Sequence, residues 1–156
     1  MSQSHVVPGV VAESIDVDTP PERVFAILSD PYQHPRIDGS GSLTGAIRGP
    51  HQLSEGASFG VDMKLFGLPY KIRNTVVEYE EGRLIAWRHF NGHRWRYRLE
   101  PRADGAGTRV TEEFDYSRVP GYNRRILELL GFPERNRQGI KDTLPRLKAE
   151  AEGQSA

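Results

Sequence analysis

From His93 to Leu99 the odd positions His93, Trp95, Tyr97 and Leu99 are aromatic or apolar, and the even positions Arg94, Arg96 and Arg98 are cationic. This period of two describes a strand with one dry and one wet face. Its register with the preceding segment depends on the turn at Phe90-Asn91-Gly92. A two-residue loop on Asn91-Gly92 would pair Phe90 with His93 and leave Ile85 and Trp87 among the arginines. A three-residue loop with Gly92 in the left-handed conformation instead pairs His89 with His93, Trp87 with Trp95 and Ile85 with Tyr97, and this register is adopted. In the next strand, Thr108 to Tyr116, the residues Val110, Phe114 and Tyr116 alternate with Arg109, Thr111, Glu113 and Asp115, so Glu112 falls on the apolar face. Setting Leu99 opposite Val110 puts Arg96 against Glu113 and Arg94 against Asp115 outside, as exposed ion pairs contributing ~0.2–1 kcal/mol each.

Earlier in the chain, Val10 to Asp18 alternates with Val11, Ile15 and Val17 on one side, where Glu13 is the one misfit. The period then changes. Thr19-Pro20-Pro21-Glu22 reads as a helix start with Thr19 at the N-cap, Pro20 at the first helical position and Glu22 reaching back as in a capping box. Val24, Phe25 and Leu28 give this helix its buried stripe, and Ser29-Asp30-Pro31 ends it. A polar stretch from Pro31 to Gly41 precedes strands at Leu43 to Arg48 and Ala57 to Phe66, the second with Phe59, Val61, Met63 and Leu65 on one face. Tyr70 to Glu78 continues the sheet with Ile72, Val76 and Asn74 turned inward, Asn74 at the level of Trp87 or His89. Ile140, Leu144 and Leu147 then mark a final helix over about Glu134 to Glu150, bent at Pro145. A shorter amphipathic piece with Ile126, Leu127 and Leu130 precedes it, broken at Gly131-Phe132-Pro133. The segment Tyr122 to Pro133 is expected to be a mobile cover over one end of the interior.

A strand, a helical insertion, six antiparallel strands and a long last helix predict an α+β domain of the helix-grip type, its curved sheet of about seven strands wrapped around the C-terminal helix. The 156 residues suit one domain spanning 1–156, with an ordered core over about 8–150. Lysine plus arginine equals aspartate plus glutamate at 21 each, so no global field attracts nucleic acid or an anionic surface. The chain has no cysteine, which excludes disulfides, thiolate catalysis and zinc–thiolate sites. Neither a signal-like start nor a run of the ~20 apolar residues needed to span a bilayer is present, so a cytoplasmic location is expected.

The chain resembles the START-like or SRPBCC superfamily, in particular its polyketide cyclase/dehydrase branch, over nearly its whole length. The resemblance lies in SIDVDTPPERVFAILSDP, in VVEYEEGRLIAWRH, and in GTRVTEEFDYS followed by the C-terminal helix. IDGSG at Ile37 to Gly41 and HRW at His93 to Trp95 are similar to an actinobacterial subgroup of that branch. The resemblance implies a sheet curved around a ligand pocket; pockets of this kind span ~300–1,000 Å³.

The inner face reads either as filled core or as the wall of that pocket, and the resemblance favours the pocket. The expected ligand-binding residues are Glu13, Phe59, Val61, Met63, Asn74, Trp87, His89, Trp95, Tyr97, Phe114, Tyr116, Ile140 and Leu144. Burying Glu13, Glu112, Asn74, His89 or His93 without partners would be expensive, so these form either a structural polar cluster or a site. As a site, His93 and Glu112 on adjacent strands make an imidazole–carboxylate acid/base pair, the expected catalytic residues of a cyclase or dehydratase, with Asn74 or His89 polarising a carbonyl. His89, His93 and Glu112 match no metal-ligand spacing, so no metal and no cofactor is expected. Asp38-Gly39-Ser40-Gly41 lacks the lysine and following helix of a phosphate loop and reads as a turn at the cavity mouth. HRWRYRLEP sends its aromatics and arginines to opposite faces, which argues against nucleic acid, and no G-x-S-x-G segment supplies a serine nucleophile. The expected function is binding of a small hydrophobic, aromatic polyketide-like or lipid-like ligand. An enzyme of the cyclase/dehydrase type, or a non-catalytic interaction module using the outer sheet, are the alternatives, and a homodimer is compatible with the sequence.

Overall fold

The computed structural model describes residues 8–40, 43–65, 67–89, 92–103 and 105–153. Phe90 and Asn91 of the expected turn, Gly41 of the mouth loop and Phe66 lie outside the described residues. Seven antiparallel strands form one sheet in the order β1-β7-β6-β5-β4-β3-β2. They span β1 Val10–Val17, β2 Leu43–Arg48, β3 Ser58–Leu65, β4 Leu68–Glu80, β5 Leu84–Arg88, β6 Arg94–Pro101 and β7 Thr108–Asp115. Among the described residues there are also four α-helices, α1 Pro21–Leu28, α2 His34–Ile37, α3 Gly121–Leu129 and α4 Phe132–Gly153, and a short 3-10 helix at Pro31–Gln33. The long α4 packs on β1 and β7, giving the helix-grip arrangement.

The expected central register is the one observed. Trp87 pairs with Trp95 and Ile85 with Tyr97, Leu99 lies opposite Val110, and Gly92 has a φ of 87°. Only a residue without a Cβ takes that backbone readily. Inside the sheet the fully buried Val17, Ile85, Leu99 and Val110 meet Val24, Ile27 and Leu28 of α1 and Leu147 of α4 in one apolar core. α4 continues through Pro145, beginning at Phe132 rather than at Glu134.

The start of α1 differs from expectation. Pro20 is its N-cap and Pro21 its first residue, without a side-chain cap. Thr19 is held away from that role by tertiary packing, its carbonyl accepting the Thr108 hydroxyl at 2.7 Å in a buried setting.

The arginine face also departs from simple alternation. Arg96 is only 4% exposed. Its guanidinium donates to Glu78 at 2.7 Å, to Glu113 at 2.7 Å and to Asp115 at 3.1 Å. Glu78, Ala86, Arg96 and Glu113 form one transverse row across β4, β5, β6 and β7. Because Ala86 is small and fully buried, Arg96 can lie across it and reach a carboxylate two strands away. Arg94 likewise turns to Glu78 at 2.8 Å rather than to Asp115, its expected partner, which binds Arg96, Arg118 and the Ser117 hydroxyl. The result is a desolvated charge cluster and not a set of exposed pairs.

Arg96→Ala should therefore remove the buried cation that Glu78, Glu113 and Asp115 share, leaving each only its peripheral arginine, Arg94, Arg98 or Arg118, and destabilise the protein by about 3 kcal/mol. Arg98→Ala, at the exposed edge of the same cluster, should cost no more than about 1 kcal/mol. Equilibrium urea unfolding of the two variants tests this; equal losses would contradict the burial argument.

Candidate functional site

Beside the apolar core, the sheet and α4 enclose a cavity of about 120 Å³. β3 contributes Phe59, Val61 and Met63, β4 contributes Asn74, and β5 to β7 contribute Trp87, Trp95, Tyr97 and Glu112, with His89 just past β5. Asn136, Gly139 and Thr143 of α4, together with α2, the loop after it and Leu43, close the other side through His34, Ile37, Asp38 and Ser40. At this volume one aromatic ring fills the space, so the pocket is smaller than expected. The aromatics themselves take up the rest: Trp87 stacks on His34 at 5.0 Å and meets Phe59 edge-on at 5.5 Å.

Several expected lining residues stand elsewhere. Phe114 and Tyr116 stack on each other behind Trp95, whose ring lies 5.0 Å from Phe114. Ile140 and Leu144 face the apolar core, and the neighbouring stripe Asn136-Gly139-Thr143 faces the cavity, because 3.6 residues per turn separate the two faces. Glu13 is Cα partner to Glu112 but reaches outward to Arg137 of α4 at 3.0 Å. α3 lines no part of the cavity, so the expected cover over it is absent.

The expected His93–Glu112 hydrogen bond is not formed. Tyr97 is the residue opposite Glu112, and His93 precedes it by four positions, roughly 13 Å at ~3.3 Å per residue. His93 stacks on His89 instead, with ring centres 4.5 Å apart. Burial pulls His89 down to about 3, with His93 adding to the fall, and pulls His93 to about 4. Both are neutral at physiological pH. Among the described residues no group of His, Asp and Glu side chains is placed to hold a metal ion.

Glu112 carries the sharper chemistry. Its Oε1 accepts the Tyr97 hydroxyl at 2.7 Å, whereas Oε2 is buried with no partner among the described residues. Burial pushes its carboxyl up to about 8, the Tyr97 bond opposing and the nearby Asp38 adding to the rise. The neutral carboxylic acid is therefore the favoured form of Glu112 at neutral pH, and with Oε1 accepting from Tyr97, Oε2 is the oxygen left to carry the proton. Asn74 Oδ1 is likewise buried and unpartnered among the described residues. A donor and an acceptor are thus left unsatisfied in one small apolar space, where each such group costs free energy.

The sequence did not point to His34; the loop that follows it, read as a turn at the cavity mouth, lines the cavity through Asp38 and Ser40. His34 Nε2 donates to the Leu28 carbonyl at 2.8 Å, and burial lowers its basicity. Asp38 Oδ1 accepts from the Ser40 backbone N–H at 3.0 Å and its hydroxyl at 2.6 Å, an Asx turn that shapes the rim. A Cβ on Gly39 would come within 2.4 Å of the α4 backbone at Asp142, so glycine there lets the loop seat directly on the helix. The only sequence signal for this seam is the Asp-Gly-Ser turn itself.

A family model described as "Polyketide cyclase / dehydrase and lipid transport" matches residues 8–152, and the chain belongs to that family. The uncharacterised protein Rv0088 of Mycobacterium tuberculosis strain H37Rv is 41% identical over 142 residues, covering 90% of this chain and 63% of that protein. The chain thus spans somewhat under two thirds of the length of that curated relative. Among solved structures, the KanY protein (ms6282) aligns with a TM-score of 0.72 at 19% identity, covering 92% of this chain and 97% of that one. The Polyketide_cyc-like protein Cgl2372 of Corynebacterium glutamicum aligns with a TM-score of 0.60 at 22% identity, covering 96% of each chain. At these identities the structural matches speak for the fold alone. Family and fold together support a ligand-binding domain of the SRPBCC type.

Because the folded-state value of Glu112 lies above its ordinary 4.5, the stability it contributes is fully present below that pH and is lost as pH rises through about 8. Glu112→Gln removes this dependence. The variant should gain on wild type by up to ~1.4 kcal/mol per pH unit between those limits, and the gap should level off above them. Urea unfolding of both proteins across this range measures it; a pH-independent gap would mean that Glu112 is ionised in the fold.

Proposed function

We propose that the cavity binds one small, mainly apolar molecule carrying a carbonyl or hydroxyl group, in line with the expected aromatic polyketide-like or lipid-like ligand. The observation that carries this reading is the unpartnered pair formed by Glu112 Oε2–H and Asn74 Oδ1 within an aromatic wall. A ligand carbonyl accepts from the Glu112 acid, and a ligand hydroxyl donates to Asn74. The aromatic rings of Trp87 and Trp95 supply contact area, and the neutral histidines bring no charge that a hydrophobic molecule would have to face. A molecule larger than one ring requires the Asp38–Ser40 seam with α4 to open.

The enzyme alternative rests on a second observation. The protonated Glu112 and the imidazole of His89 both line the cavity, the acid able to donate a proton and the imidazole, its basicity lowered by burial, able to hydrogen-bond the reacting group. These two groups, rather than His93 with Glu112, would then serve cyclisation or dehydration. His93 supports the His89 ring by stacking.

Native mass spectrometry of freshly purified protein, with extraction of anything retained, identifies the ligand. Cyclohexanone and cyclohexane, titrated against tryptophan fluorescence, test the polar pair directly. The ketone should bind about tenfold or more tightly than the hydrocarbon in wild type, and Asn74→Leu with Glu112→Leu should abolish that preference. Equal affinities in wild type would end the reading. Incubating the extracted ligand with wild type and Glu112→Gln, and following its mass and isomer composition, separates binder from enzyme: an unchanged ligand excludes catalysis on that compound.

A further inference from the structure

α3 presents its apolar side to solvent. Tyr122 and Leu129 are each 80% exposed, Leu130 at the helix end is 65% exposed and Ile126 is 38% exposed. At 100° per residue Tyr122, Ile126 and Leu129 fall within about 60° of one another, on the side opposite the partly buried Arg124 and Leu127. Leu127 alone packs against the core. An amphipathic helix that covers a core turns its apolar stripe inward; this one has the stripe outward, leaving large side chains in contiguous exposure.

The surroundings of this stripe select its occupant. Arg125 borders the stripe and is exposed, whereas Arg124 lies on the opposite side with Leu127; the single acidic residue of the helix, Glu128, also lies away from the stripe. Arg125 takes part in no ion pair among the described residues, and the half-exposed Arg118, paired on one side with Asp115, flanks the helix start. A second copy of the chain docked symmetrically would set Arg125 near its own counterpart, a like-charge contact. An anionic lipid surface satisfies both features at once, taking up the apolar side chains below the headgroups and pairing with the guanidinium groups at the boundary.

We propose that α3 is a membrane-surface docking helix that lies in the interface of an anionic bilayer. Among the described residues no helix is long and apolar enough to cross a membrane, so the contact is peripheral. The docked helix joins α4 through Gly131, whose φ is 77°. Asn136, early in α4, lines the cavity. Docking therefore brings the α4 side of the cavity toward the lipid, and it does so whatever the cavity holds.

Flotation of the full chain with phosphatidylcholine vesicles, with and without phosphatidylglycerol, tests the proposal. Wild type should float with the anionic vesicles, release progressively as salt is raised, and bind pure phosphatidylcholine on the order of tenfold more weakly. Leu129→Asp should abolish flotation, and Arg125→Gln should weaken it on anionic vesicles by about fivefold, the loss of one basic residue near the surface. Leu68→Asp, an exposed leucine on a different part of the sheet, should change nothing; circular dichroism confirms that each variant is folded. Absence of flotation by wild type, or equal flotation by Leu129→Asp, would overturn the proposal. A concentration-dependent dimer dissociated by Leu129→Asp, without vesicle binding, would overturn it too and assign the face to a second copy.

Discussion

The register of β5, β6 and β7 is the constraint on which the rest of this molecule depends. With a side-chain period of two, a slip of one residue would send Trp87, Trp95 and Phe114 to solvent and bury the arginines. Two transverse rows hold the pairing from opposite faces. Inside, Val76, Trp87, Trp95 and Phe114 stand in line, and outside, Glu78, Ala86, Arg96 and Glu113 do the same. The inner row gains from burial of large aromatic surface. The outer row fixes direction and spacing, because a buried guanidinium satisfied by three carboxylates tolerates no displacement of any strand.

This division of labour explains the electrostatics of the interior. Charge is concentrated on the outer face, and the groups that line or adjoin the cavity shed theirs. His34, His89 and His93 lose basicity, and Glu112 keeps its proton. Desolvation is the leading cause in each case, acting on acids and bases in opposite senses with the same neutral outcome. Glu13 demonstrates the alternative. Sitting directly across from Glu112 at the edge of the interior, it finds Arg137 and is half-buried as a salt bridge.

α4 joins core and cavity because adjacent faces of one helix meet different halves of the sheet. Ile140, Leu144 and Leu147 seal the apolar half, while Asn136, Gly139 and Thr143 leave room in the other. The Thr143 hydroxyl accepts the Gly39 N–H at 2.9 Å, and Arg146 donates to the Asp38 carbonyl at 2.9 Å. These bonds tie the mouth loop to the helix.

The amino-acid sequence by itself determined the strand faces, the central register, the α+β architecture and the final helix, because these follow from local periodicity and from one turn that only glycine completes readily. The inward placement of Asn74, Trp87, Tyr97 and Glu112 belongs to the same rule. Tertiary structure alone decided what depends on distances between elements. The separation of His93 from Glu112 is not among these, since the Leu99–Val110 register read from the sequence already sets Tyr97 opposite Glu112 and His93 four residues away. Tertiary structure buried Arg96, since alternation assigns a face and not the depth at which neighbouring side chains cover it. It brought His34 to the cavity from a stretch with no periodic signal, and it seated the turn at Asp38–Ser40 on a helix far along the chain through Gly39. It also set the cavity volume, which is the space left after packing and is written at no single position.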